Sequence, residues 1–237
     1  MAICLSCSEA FIEPPSWRTL FFIDHNQLIC EACEQKLVEL KGEICTSCSR
    51  LLSELDDSYK QNGNCSDCIR WEENEHTKGL LERNVSLYHY NDFLKEWLTV
   101  YKFRGDAVIA EFFADKLRKV YEKKFQDYVP VPIPLHPQRL HERGFNQSEL
   151  LLKGWAQTLP LLVKQTNTKQ SKLKRQARIS QVLEPNFSIN PDINLGETLK
   201  KVVLIDDIYT TGTTVRQAAV TLKQNGFNQV ASLTIAR

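Results

Sequence analysis

The chain has no long apolar run. Its uncharged apolar stretches are short pieces such as Thr19 to Ile23, far below the roughly 18 to 20 residues that a helix needs to cross a bilayer, so no membrane insertion is expected. It also lacks the basic start and apolar core of a secretory leader, opening instead with Cys4 and Cys7 in a polar stretch; a cytoplasmic location is the expectation. Glycine and proline are sparse, nine of each in 237 residues, which excludes collagen-like and low-complexity chains. What remains, 42% hydrophobic and 25% charged, is the composition of a globular protein of one or two domains.

Two further absences divide the chain. Cysteine is missing after residue 68, and acid is missing between Lys164 and Arg178. The net charge of +1 hides the same division: residues 1 to 100 hold 9 Lys/Arg against 17 Asp/Glu, a balance of −8, and residues 101 to 237 hold 21 against 12, a balance of +9. The C-terminal part is therefore suited to anions such as phosphates or nucleic acid.

All eight cysteines fall in C-x-x-C pairs: Cys4/Cys7, Cys30/Cys33, Cys45/Cys48 and Cys65/Cys68. Two residues between thiolates let both sulfurs of a tight turn reach one metal, and two pairs complete the tetrahedral shell that Zn²⁺ accepts. A disulfide framework would suit a secreted domain, and four redox pairs in one chain are a poor alternative. Sequential pairing, with 22 residues between Cys7 and Cys30 and 16 between Cys48 and Cys65, predicts two structural Cys4 zinc sites; a cross-braced pairing is the alternative. Residues 1 to 70 thus read as a small zinc-ribbon region. Eight thiolates and two Zn²⁺ add −4 to its acidity, so it reads as a scaffold or partner-docking module.

Residues 71 to 84 are charged and without a sustained apolar face, which reads as a linker to a second domain over 85 to 237. Phe93, Leu94, Trp97, Leu98 and Tyr101 recur at helical spacing after Asn91, and a second helix follows Asp106 with Val108, Ile109, Phe112, Phe113, Leu117, Val120 and Tyr121 on its inner face. Tyr128 to Pro134, YVPVPIP, has strand composition but prolines two apart, so that one side cannot donate, which fits an edge or a short strand feeding a loop. A helix is expected within LHPQRLHERGFNQSELLLKGWAQ, and a short strand over Leu159 to Lys164. The basic run that follows, Lys164, Lys169, Lys172, Lys174, Arg175 and Arg178, has little periodicity and reads as a mobile loop able to meet single-stranded DNA. Strand and helix then alternate to the strand Gln229 to Ala236, which implies an α/β domain with a mainly parallel sheet.

The most informative stretch is VVLIDDIYTTGTT, Val202 to Thr214. Four apolar residues form a buried strand, Asp206 and Asp207 stand at its C-terminal end, and a small hydroxyl-rich turn leads into a helix over Val215 to Asn225. Thr210, Thr211, Gly212, Thr213 and Thr214 can aim backbone N–H groups and hydroxyls at one phosphate, and the helix N-terminus adds a favourable dipole. The carboxylates repel phosphate but can accept hydrogen bonds from sugar hydroxyls or steady Mg²⁺. The ligand these parts suit combines a phosphate with a diol.

This stretch resembles the 5-phosphoribosyl 1-pyrophosphate (PRPP) motif of type I phosphoribosyltransferases over its full length. With the cysteine pairs, YKFRGD at 101 to 106, VPIPLHPQRLHERGFNQSELL at 131 to 151 and the terminal TIAR, the chain resembles the ComF family along nearly all of its length. The resemblance implies a type I phosphoribosyltransferase-like α/β sheet with flanking helices behind a zinc-ribbon domain. It implies ribose contacts by Asp206 and Asp207, 5′-phosphate contacts by Thr210 to Thr214, and a pyrophosphate side formed by Lys102, Arg139, Arg143, Asn146 and Gln147, with Mg²⁺ accompanying PRPP. Among these, Asp206, Asp207, Lys102 and Arg143 would be the catalytic groups. It further implies a part in natural transformation, in which single-stranded DNA is taken up together with a ComFA-type helicase and the protein is recruited to the inner face of the membrane. Transfer of phosphoribose from PRPP to an unidentified acceptor is the alternative activity.

Overall fold

The computed structural model describes residues 1–12, 27–104, 107–165, 182, 186–193 and 200–237. Lys169, Lys172, Lys174, Arg175 and Arg178 of the basic run lie outside the described residues.

The N-terminal part consists of two versions of one small unit. The first holds the strands β1 (Ala2–Ile3) and β2 (Ala10–Phe11) and the helix α1 (Glu31–Glu34). The second holds β3 (Lys60–Gln61), β4 (Asn64–Cys65) and α2 (Ser66–Glu73). In both, the leading C-x-x-C pair closes a tight knuckle: Ser8 and Ser49, each directly after the second cysteine, take φ of 62°. Their N–H groups bond back to the carbonyls of Cys4 and Cys45 at 2.9 Å. The trailing pair of each unit begins a helix, Cys30 capping α1 and Cys65 capping α2. This placement suits thiolates, because a helix N-terminus favours negative charge.

The larger part is built on four parallel strands: β5 (Asn84–Tyr88), β6 (Val129–Pro132), β9 (Lys201–Ile208) and β10 (Gln229–Ala236), in the order β5-β10-β9-β6. The α/β architecture expected from the alternating pattern is present. Between β5 and β6 run α3 (Asp92–Arg104) and α4 (Ala107–Lys124); after β6 come α5 (Pro137–Arg143) and α6 (Gln147–Leu150). A separate antiparallel ribbon pairs β7 (Leu162–Lys164) with β8 (Phe187–Ile189), and α7 (Thr213–Gln224) links β9 to β10.

Residues 202 to 205 of β9 are apolar without interruption because both faces of the strand are covered there. Val203 and Ile205 join one cluster, with Leu94, Trp97, Phe113 and Leu117 of α3 and α4. Val202 and Leu204 join the other, with Val215, Ala218 and Leu222 of α7. The two cysteine units divide between these faces: Cys4 and Cys33 sit in the first cluster, while Cys45, Cys48, Cys65 and Cys68 sit in the second. Of the residues expected on the inner face of α4, Val108 is instead exposed, while its neighbours Ile109 and Ala110 are buried.

The prolines of β6 do what their spacing requires. Ile133 donates to the Ile205 carbonyl at 2.9 Å, so Pro130, Pro132 and Pro134, one residue out of step, present their missing donors to the open edge. The single helix expected after β6 is divided into α5 and α6, because Gly144 at φ of 76° closes α5 in a left-handed cap. Within residues 71 to 84, Trp71, Thr77 and Leu81 are buried between exposed charged positions, and the Thr77 hydroxyl donates to the Trp71 carbonyl at 2.7 Å. The neighbouring strand β5 joins the second cysteine unit through Asn84, whose amide donates to the Cys48 carbonyl and to Ser86, while Ser232 donates to its oxygen at 2.8 Å.

Candidate functional site

Each cysteine group brings four sulfurs within 4.8 Å of one another: Cys4, Cys7, Cys30 and Cys33 in one, Cys45, Cys48, Cys65 and Cys68 in the other. Sequential pairing is thus the arrangement found. Either group could hold a metal ion, and four thiolates at this spacing are the donor set of structural Zn²⁺, with no position left for a substrate. The groups differ in exposure. Cys7 is exposed and Cys30 partly so, whereas all four cysteines of the second group are buried. A chelator is therefore expected to release zinc in two phases, the faster from the first group. Colorimetric zinc release would check this, with the fast phase absent in Cys7→Ser; a single phase of two equivalents in the native protein would contradict it.

The second constellation lies at the C-terminal end of the parallel sheet, where open α/β sheets bind ligands. Asp206 and Asp207 close β9. The Asp206 carboxylate accepts from the Asp207 N–H at 2.9 Å and from the Ser148 hydroxyl at 3.4 Å. Asp207 forms an ion pair with Lys102 of α3 and accepts from the Ile208 N–H at 2.9 Å. Burial pushes the Asp206 carboxyl up to about 7; the Asp207 charge adds to the rise, and Lys102 opposes it.

The turn between β9 and α7 has its shape from Gly212. Its φ of 76° is left-handed, and a Cβ there would stand 2.1 Å from the Tyr209 hydroxyl and 2.3 Å from Arg216 Nη1. Beneath the turn, Arg216 is 1% exposed; it donates to the Tyr209 hydroxyl at 2.8 Å and to the Gly212 carbonyl at 3.4 Å. Thr211 and Thr213 share a hydroxyl contact of 2.9 Å. Among the described residues, none accepts a hydrogen bond from the N–H groups of Thr210, Thr211, Gly212 or Thr213.

Around this centre the expected cations take different places. Arg139 and Arg143 lie on α5, one turn apart, Arg139 exposed. Lys164, grouped by sequence with the basic run, ends β7 within electrostatic reach of both Asp206 and Arg139. Burial lowers its pKa, the charge of Asp206 opposes the shift and that of Arg139 reinforces it. Asn146 is buried as the N-cap of α6, accepting from Ser148 N–H at 3.1 Å and donating to the Ile133 carbonyl at 3.2 Å. Gln147 is buried beside it, its carbonyl accepting from the Tyr101 hydroxyl at 2.7 Å, its side-chain Nε2 without a partner among the described residues. The neighbour that reaches the carboxylates is Ser148, which sequence reasoning passed over together with Tyr209 and Arg216. Ser148 meets Asp206 from 58 residues away, which no local pattern signals, whereas Tyr209 and Arg216 pair across the turn itself, seven residues apart.

The class is now defined: a parallel α/β protein with two tetracysteine units and a carboxylate pair beside a glycine-containing, hydroxyl-rich turn. Over 239 aligned positions the chain is 37% identical to the competence protein ComFC of Bacillus subtilis (strain 168), covering 99% of this chain and 95% of that protein. It is 30% identical to the competence protein ComFC of Streptococcus pneumoniae (strain ATCC BAA-255 / R6), covering 99% of both. It is also 26% identical to competence protein F of Haemophilus influenzae (strain ATCC 51907 / DSM 11121 / KW20 / Rd), covering 88% of this chain and 96% of that protein. The chain belongs to the ComF family. No protein-family model matches it. The competence relatives support a role in competence, and no helix among the described residues is long and apolar enough to cross a membrane.

Proposed function

We propose that this protein acts in DNA uptake during transformation, working with a ComFA-type helicase, and that it carries a binding site for PRPP or a related phosphoribosyl ligand. The observation that supports this most is the turn at 210 to 213, whose N–H groups have no described partner, directly beside Asp206 and Asp207. N–H groups and a helix N-terminus suit the 5′-phosphate, the two carboxylates suit the ribose hydroxyls, and Lys102, Lys164 and Arg139 suit the pyrophosphate with its Mg²⁺. The same chemistry, a phosphate next to a sugar, recurs in every unit of single-stranded DNA. Lys164 belongs both to the basic run and to this site, which favours DNA meeting the protein here. The two tetracysteine units, each holding Zn²⁺, would serve as the rigid docking platform for the helicase.

Calorimetric titration with PRPP and Mg²⁺ tests the reading. The native protein should bind, the Asp206→Asn/Asp207→Asn variant should not, and single-stranded DNA should compete with PRPP in a salt-dependent manner. Absence of binding by the native protein would overturn the phosphoribosyl site. Release of pyrophosphate above the level of the double variant, with any acceptor base, would mark the protein as an active phosphoribosyltransferase.

A further inference from the structure

Four consecutive carbonyls of the phosphate-type turn are held from behind. The Thr210 carbonyl accepts from Arg237 Nη1 at 2.7 Å, and the Tyr209 carbonyl from the same nitrogen at 3.5 Å. The Thr211 carbonyl accepts from the Trp71 indole N–H at 3.2 Å, and the Gly212 carbonyl from the Arg216 N–H at 3.1 Å. The two outer holders belong to the second cysteine unit or reach into it. Trp71 lies on α2, three residues after Cys68, and Arg237 Nη2 lies 3.6 Å from the Cys48 sulfur. Arg216 lies beneath the turn, its guanidinium 4.6 Å from the centre of the Trp71 ring.

The direction of these contacts has a geometric result. Every peptide unit of the described chain is trans, and in a planar trans unit the C=O of one residue and the N–H of the next point opposite ways. Fixing the carbonyls of 209 to 212 toward Arg237, Trp71 and Arg216 turns the N–H groups of Thr210, Thr211, Gly212 and Thr213 the other way. None of these N–H groups has a partner among the described residues.

We infer that Arg237 and Trp71 are positioning residues that clamp the turn to the second cysteine unit and thereby preorganise its N–H groups for a phosphate. The inference rests on the reading of this turn as a phosphate site. Neither side chain touches the ligand; each acts through a carbonyl on the far side of the peptide. The clamp also couples the two halves of the molecule, because Arg237 joins a cysteine sulfur of one unit to the anion site of the other. A sulfur that carries charge, as in a metal-bound thiolate, is the better acceptor for that guanidinium.

The test uses the zinc-loaded full chain and ribose 5-phosphate, a probe with the phosphate and diol but no pyrophosphate. Arg237→Gln is expected to weaken ribose 5-phosphate about tenfold, the equivalent of one lost charge-assisted hydrogen bond, with two zinc ions retained and the affinity for unphosphorylated ribose unchanged. Trp71→Phe, which removes the N–H and keeps the ring, should weaken it in the same phosphate-selective manner. Arg237→Lys should restore part of the loss, since an ammonium can serve the Thr210 carbonyl but not the sulfur as well. Should Arg237→Gln fail to fold, Trp71→Phe alone decides. Native-like affinity in Trp71→Phe and Arg237→Gln would overturn the clamp, whereas no ribose 5-phosphate binding by the native protein would overturn the phosphate site beneath it.

Discussion

Replacing Cys45 and Cys48 together by serine is expected to abolish the cooperative folding of the whole protein, not of the cysteine unit alone. All four sulfurs of this group are buried, and they belong to the same apolar cluster as Leu204 of β9, Val215 of α7 and Val230 of β10. Zinc contributes on the order of 10 kcal/mol or more to small Cys4 folds, comparable with the entire stability of a typical domain. Its loss would leave two buried sulfurs and two hydroxyls without a metal, beneath the Asn84 network that ties the knuckle to β5 and β10. Calorimetric melting is the measurement, and the midpoint should fall by more than about 10 °C or the transition vanish. Cys7→Ser, at the exposed margin of the first group, should lower it much less. A double variant melting within a few degrees of the native protein would show that the second group is not a structural metal centre.

Asp206→Asn is expected to have the opposite effect on stability while destroying ligand binding. The Asp206 carboxyl is raised from 3.8 to about 7 by burial and by the Asp207 charge, so the folded chain holds its proton more tightly than the unfolded chain does. That preference stabilises the protein fully below the unfolded value near pH 4 and is lost as pH rises through about 7. Asparagine is neutral throughout and loses nothing. The difference between variant and native protein should therefore be small at pH 4, grow through the neutral range and level off above pH 7. Its size is on the order of a few kcal/mol and corresponds to roughly 5 °C or more in melting temperature. Thermal melts of both proteins from pH 4 to 8, without ligand, check the sign. A carboxylate kept at such expense is the mark of a site in which function opposes stability. A variant that melts lower than the native protein at pH 8 would mean that the ionised carboxylate stabilises the fold.

Much of the site was legible before any coordinates because its signals are local. A C-x-x-C pair is a single turn, and four such pairs in order along the chain were enough to expect two sequential Cys4 groups. VVLIDDIYTTGTT combines a buried strand, its end and a helix start in consecutive residues, so its chemistry could be read in order. The prolines of YVPVPIP limited the strand to an edge or a short run into a loop, because a missing N–H acts within one residue of itself. Asn146 and Gln147 were less legible: amides in a row near a ligand site look alike in sequence whether they cap a helix, fill a core or face a substrate. Lys164 was grouped with its basic neighbours in sequence, although the antiparallel pairing of β7 with β8 carries it toward Asp206.

The sequence by itself determined the metal-ligand set, the parallel α/β architecture and the carboxylate and hydroxyl groups at the end of β9. Periodicity and spacing act over one to four residues, and those features need no more. Only the tertiary structure decided which cysteine group is sealed inside, which serine meets Asp206, and what holds the turn. Trp71 and the Thr211 carbonyl it serves are 140 residues apart, and Arg237 is 189 residues from Cys48. Contacts at that separation depend on strand order, register and the packing of two units on one sheet, which no local propensity encodes.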